Sequence, residues 1–154
     1  MTSNDILRRI RYTFDFNNRK MLEIFALAGH EVKPSQIIAW LQKDGDPDLV
    51  ELTDMELAYF LNGFINEKRG KKEGEQPVPE TTLNNNIILR KLKIALNLKD
   101  TDIIEIVNLA GLPMSPHELS AFFRNPDQKQ YRICHDQFLR NFLHGMQLKY
   151  RPVK

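Results

Sequence analysis

The chain holds little of what most chemistry requires. Cys134 is its one cysteine, which excludes an internal disulfide and fits a reducing compartment. The four histidines, His30, His117, His135 and His144, are not spaced as ligands. Cys134 and His135 are adjacent, whereas a zinc site wants short paired spacings such as Cys-x2-Cys or His-x3-His. No metal and no cofactor is expected. There is no glycine-rich phosphate loop, neither G-x-G-x-x-G nor a Walker pattern. No apolar run approaches the ~20 residues of a membrane span, and Met1-Thr2-Ser3-Asn4-Asp5 has no apolar signal core. The expected location is therefore the cytoplasm, without membrane contact.

Catalytic constellations are also missing. Cys134, His135 and Asp136 are the residue types of a thiol nucleophile, but sequence neighbours at a helix start do not face one another. Glu23 and Glu105 recur at matched positions, each beside apolar residues on a helix. A boundary position with the carboxylate in water accounts for both. No catalytic residue is assigned, and a non-enzyme is expected.

What the chain does have is a duplication. Residues 4–69 align with 86–151 at a constant offset of 82, without a gap, giving about 17 identical pairs over about 66 positions. Leu27-Ala28-Gly29 matches Leu109-Ala110-Gly111, and Pro34 matches Pro116. The organisation expected is a first helical repeat over 1–70, a polar linker over 71–83 and a second repeat over 84–154. A unit of about 70 residues has a marginal core by itself, so the halves should bury apolar area against each other.

Helical spacing of apolar residues predicts four helices per repeat, hence an all-α fold of two tandem pseudo-equivalent subdomains. The first helix spans about 4–14, with Ser3 or Asn4 as cap and Leu7, Ile10 and Phe14 inside; Leu89, Leu92 and Leu96 are their counterparts. The second spans about 18–28, with Asn18 and Asp100 as candidate caps. Met21, Leu22, Ile24, Phe25 and Leu27 form its apolar face, and Gly29 and Gly111 end it. The third opens at Pro34, or at the capping box Ser115-Pro116-His117-Glu118. Ile37, Ile38, Trp40 and Leu41 should point inward from it, as should Leu119, Phe122 and Phe123. The fourth starts at Thr53-Asp54-Met55-Glu56 and runs to about Lys68, with Leu57, Phe60, Leu61 and Phe64 inside. Gly63 and Gly145 lie within the fourth helices, where glycine costs ~1 kcal/mol relative to alanine. Their presence in both copies suggests a close helix crossing. The linker Gly70-Lys71-Lys72-Glu73-Gly74-Glu75-Gln76-Pro77-Val78-Pro79-Glu80 should be exposed and mobile.

Long blocks of this pattern resemble a known family. Asn4-Asp5-Ile6-Leu7-Arg8-Arg9-Ile10-Arg11-Tyr12, Phe60-Leu61-Asn62-Gly63-Phe64-Ile65-Asn66-Glu67-Lys68-Arg69-Gly70-Lys71, Asn84-Asn85-Asn86-Ile87-Ile88-Leu89-Arg90-Lys91-Leu92 and Asp136-Gln137-Phe138-Leu139-Arg140 are similar to the YehS-like family of uncharacterised bacterial proteins, built from a tandem domain of unknown function. The resemblance covers nearly the whole chain. It implies a bacterial cytoplasmic protein with a duplicated helical domain, and it carries over no site residue.

Charge supplies the functional expectations. The net +2 divides into −3 over residues 1–83 and +5 over 84–154. Two accounts fit: the acidic half docks on the basic half, or the basic half meets a polyanion. Cations recur on the first helix of each copy: Arg8, Arg9 and Arg11, then Arg90, Lys91 and Lys93. With Lys68, Arg69, Lys71 and Lys72 near the linker, they form a candidate set for gripping nucleic-acid phosphates without reading sequence; a solvated helix face is the plainer account. Residues 109–119, a helix, a glycine turn and a capped helix, also resemble a helix-turn-helix. The turn is about two residues longer than that motif's usual form, however, and Glu118 would be repelled by phosphate, so a generic helical hairpin explains it. The alternative function is a protein-protein interaction or adaptor module using the acidic loop 44–56 and the interdomain groove. The discriminating feature is spatial. Basic first helices on one shared surface favour nucleic acid, whereas a first helix facing the acidic loop favours a protein partner. Oligomeric state is not legible.

Overall fold

The computed structural model describes residues 1–151. The chain forms α1 (Ser3–Phe14), α2 (Asn18–Leu27), α3 (Pro34–Trp40), α4 (Asp54–Arg69), α5 (Asn85–Ala95), α6 (Asp100–Leu109), α7 (Pro116–Ala121) and α8 (Asp136–Tyr150). No strand occurs among the described residues. Helices α1–α4 are one repeat and α5–α8 the other, giving the all-α fold of two pseudo-equivalent units.

Helix starts follow local hydrogen-bond chemistry, displaced slightly from the sequence expectation. Thr2, not Ser3 or Asn4, caps α1: its hydroxyl accepts from Asp5 N–H at 3.1 Å, and the Asp5 carboxylate accepts from Thr2 N–H at 3.2 Å. Asn17 and Lys99, not Asn18 and Asp100, cap α2 and α6. Asn17 Oδ1 accepts from Lys20 N–H at 2.8 Å, and Lys99 N–H is taken by Asp102 at 2.7 Å. The capping boxes Thr53–Glu56 and Ser115–Glu118 stand as expected. Asp15 and Asn97, again 82 apart, end α1 and α5 at φ +56° and +53°. Asp and Asn are among the few non-glycine residues that enter this region readily.

Freed from capping, Asn4 is buried and ties the long loop before α4 to α1. Its Nδ2 donates to Trp40 O at 3.0 Å and Val50 O at 2.9 Å, and its Oδ1 accepts from Leu52 N–H at 2.9 Å. Asn86 repeats the set with Phe122 O at 3.0 Å, Arg132 O at 2.9 Å and Cys134 N–H at 2.9 Å. The same loops rejoin the third helices through Val50 N–H to Ala39 O and Arg132 N–H to Ala121 O.

Within each repeat the second helix packs on the third and fourth. The glycine suggestion holds. A Cβ on Gly63 would overlap the backbone carbonyl of Ile24, and one on Gly145 that of Ile106, so α4 and α8 press backbone to backbone on α2 and α6. Between repeats, each first helix packs mainly on the fourth helix of the other: α1 on α8 and α5 on α4. Weaker contacts of α1 with α4 and of α5 with α8 complete a ring α1–α4–α5–α8. One apolar cluster runs through both repeats from Ile6 to Met146. Phe14 packs across the repeat boundary on Tyr150, the rings tilted with centroids 5.5 Å apart, and also meets Phe64 at 5.2 Å.

Three expectations change. Ile38 is half-exposed, and Leu22, Leu27, Leu41 and Phe123 are only partly buried. The third helices are too short, at 7 and 6 residues, to wrap an apolar face around the core. The linker is exposed over 71–75 but anchored further on. Gln76 Oε1 accepts from Asn66 Nδ2 at 2.7 Å, and Glu80 pairs with Lys91 at 3.0 Å.

Gly63→Ala or Gly145→Ala should each cost about 3 kcal/mol by overpacking, lowering Tm in a thermal melt by roughly 10 °C; an uncrowded helical site would gain about 1 kcal/mol from the same change. Asn86→Ala should cost about 2–4 kcal/mol in urea unfolding, because two carbonyls and an N–H lose their buried partner. The Cys134 thiol is buried, and that burial, with the nearby Asp136 charge, pushes it up to about 12. At pH 8 a thiol-specific reagent should leave the folded protein unmodified and label it on addition of denaturant.

Candidate functional site

The ten candidate cations do not form one surface. Helices α1 and α5 stand at diagonal corners of the ring, so their outward faces point apart. On α1, Arg8 is held by its own repeat: it donates to Gln42 O at 2.7 Å and pairs with Asp5 and, at 3.0 Å, with Asp44 of the acidic loop. Burial pushes the Asp5 carboxyl up, but hydrogen bonds from Thr2 and Arg8 outweigh it and hold the group below its usual range. Arg11 is partly buried, its Nε without a hydrogen-bond partner. Arg9 is partly buried and, among the described residues, has neither an ion pair nor a hydrogen bond.

On α5, Lys91 departs most from expectation. It is buried, not outward. Its Nζ donates to Asn62 Oδ1 of α4 at 2.6 Å and pairs with Glu80 at 3.0 Å. Burying an ammonium is tolerable only with such partners. Lys93 pairs with Asp100 at 2.8 Å and lies over the Phe123 ring at 4.3 Å. Arg90 remains exposed, with a 3.4 Å contact to Phe123 O. Lys68 sits over the Phe14 ring at 4.6 Å. Arg69, Lys71 and Lys72 are exposed.

The acidic loop is largely committed as well. Asp44 pairs with Arg8, Asp46 accepts from Asp48 N–H at 2.8 Å, and Glu56 closes the cap at Thr53. Asp48 and Glu51 are exposed. Asp54 ties the end of the linker to the first repeat: it accepts from Ser3 Oγ at 3.4 Å and from Leu83 N–H at 2.8 Å. Asp136 mirrors it, accepting from Asn85 Nδ2 at 2.7 Å and from the Met1 amino group at 2.9 Å. Those two donors hold the Asp136 carboxyl below its ordinary range. Sequence reasoning missed this bridge, although identity of the Asp in both copies was its signal.

Two pseudo-equivalent grooves follow from the ring. The α4/α5 groove is crossed by the linker, which arches over a space of about 460 Å³ lined by Asn62, Asn66, Arg69, Gln76 and Ile94 among others. The α8/α1 groove carries a recess of about 420 Å³ lined by Asp5, Arg8, Arg9, Tyr12 and Gln147. At its end Arg151 donates to Tyr12 O at 2.6 Å, pairs with Asp15 at 3.2 Å and covers the Tyr12 ring.

Elsewhere the chemistry is sparse. Cys134 is buried while its neighbours His135 and Asp136 are exposed, so the three do not converge. Glu23 is exposed and pairs with Arg19 at 3.5 Å and Lys20 at 3.8 Å, and Glu105 is exposed. Among the described residues no group of three or more His, Cys, Asp or Glu side chains is placed to hold a metal ion. No described helix is long and apolar enough to cross a membrane.

Comparison with known proteins agrees with the duplication. The model of a family described as "Protein of unknown function (DUF1456)" matches twice, over residues 3–70 and 85–151. The chain is 45% identical over 147 residues to "Uncharacterized protein YehS" of Escherichia coli (strain K12), an alignment covering 95% of this chain and 94% of that one. No solved structure matches. Two family matches in tandem, together with a relative aligned along almost its whole length, place the chain in the DUF1456 family.

Proposed function

We propose that the protein is a non-catalytic interaction module whose partner is another protein, engaged at the grooves between the repeats. One observation carries this reading: three of the six first-helix cations spend their charge internally, and the two helices face apart. Arg8 answers the acidic loop through Asp44, Lys91 is buried against Glu80, and Lys93 is paired with Asp100. A phosphate backbone needs cations that are free and aligned on one face. The interdomain grooves, by contrast, combine exposed apolar side chains (Tyr12, Ile94, Leu148) with amide and cationic groups, the mixture typical of protein contacts. The acidic loop contributes less, since Asp48 and Glu51 are what its internal bonds leave over.

The nucleic-acid reading retains Arg69, Lys71, Lys72 and Arg90, which are exposed, and one assay separates the two. Fluorescence anisotropy with labelled single- and double-stranded DNA and RNA, at low and near-physiological salt, should register no binding at micromolar protein. Micromolar binding that weakens steeply with salt, and that disappears when Arg69, Lys71, Lys72 and Arg90 are changed to Glu, would overturn the protein-partner reading. Lys91 is unsuited to that set, because reversing a buried charge beside Glu80 would disrupt the fold itself.

A further inference from the structure

From the internal repeat we infer that the α8/α1 groove binds an extended acidic segment of a partner protein, in the manner in which the α4/α5 groove holds the chain's own linker. This rests on the protein-partner reading and names its surface and the partner's chemistry.

The two grooves are related by the 82-residue offset. On the covered side, Lys91 and Asn62 form the polar floor, and the linker docks at two points: Gln76 on Asn66 at 2.7 Å and Glu80 on Lys91 at 3.0 Å. On the other side the counterparts are Arg9 for Lys91, His144 for Asn62, Leu148 for Asn66 and Tyr12 for Ile94. Among the described residues no segment crosses this side. Among the described residues Arg9 has no ion pair there, whereas Lys91 has Glu80; Tyr12 and Leu148 are each about half exposed, at 49% and 51%. Asp5, the nearby carboxylate, is already engaged by Arg8 and Thr2.

The substitutions specify the occupant. Arginine keeps the cation that the linker's glutamate satisfies, and its planar fork suits a carboxylate better than lysine does. Asn66 becomes Leu148, so the residue equivalent to Gln76 should be apolar rather than an amide. The expected ligand is therefore an extended stretch with a glutamate four residues after an aliphatic side chain.

The probe is a synthetic peptide of residues 70–82 carrying Gln76→Leu, titrated into the ¹⁵N-labelled full-length protein. Amide shifts are expected at Arg9, Tyr12, Gln147 and Leu148. Changing Glu80→Gln in the peptide, or Arg9→Glu in the protein, should weaken binding at least about tenfold. Leu148→Asp should do the same. Leu148 is exposed and Arg9 only partly buried, so both protein variants should melt with the parent, and either one suffices if the other fails to fold. No shifts at millimolar peptide would overturn the groove assignment, as would shifts confined to Asn62 and Ile94, which would mean displacement of the resident linker. Neither result bears on the protein-partner reading, which falls only to salt-sensitive nucleic-acid binding in the anisotropy assay.

Discussion

The buried asparagine at the start of each repeat is the contact on which the rest of the structure depends. The loop between the third and fourth helices must cross the end of the core, and its backbone polar groups would be orphaned there. Asn4 and Asn86 each supply two donors and one acceptor to that loop and so allow a non-helical stretch to lie against Leu52 or Cys134. The same bonds hold the N-terminal end of the first helix against its own repeat, while the helix body leans on the fourth helix of the other. A single side chain thus sets where the first helix begins and leaves its flank available for exchange between repeats.

That exchange explains why half-chains of this length form one core. If α1 and α5 were confined to their own repeats, each unit would be a small bundle with little buried area. Exchanged contacts place Phe14 against Tyr150 and set α5 along α4, so the apolar cluster is continuous. Asp54 and Asp136 fasten the exchange at its ends: Asp54 accepts from Ser3 of its own repeat and from Leu83 at the end of the linker, and Asp136 from Asn85 of its own repeat and from Met1 of the other. The close crossings at Gly63 and Gly145 then bring α2 and α6 in as an outer layer.

The architecture was legible because duplication makes local signals count twice. Helix number, the glycine stops, the capping boxes at Thr53 and Ser115 and the reason for Gly63 and Gly145 could all be read from matched positions. What failed were inferences from side-chain type alone. Asn4 looked like a cap and is a core ligand for the loop, because capping and burying an asparagine use the same valences. Lys91 looked like part of an outward basic face. A helix has no fixed outer face until its partners are known, and the partner of α5 lies in the other repeat, which periodicity within one repeat cannot reveal. The linker's composition pointed to freedom, but Gln76 and Glu80 find specific donors that only the folded groove supplies.

Divergence between the copies then acquires a direction. In a symmetric duplication both grooves between the repeats begin alike, and the linker crosses the α4/α5 groove. The covered groove can evolve a buried pair, because Glu80 is always present at the concentration set by its tether; Lys91 and Asn62 are buried there. On the other side a buried lysine without its carboxylate would be costly. Arg9 instead stays only partly buried, with Tyr12 and Leu148 half exposed on the same groove. Among the described residues the two grooves thus differ in what meets the cation: the linker's glutamate answers a buried lysine on one side, and an arginine stands unpaired on the other.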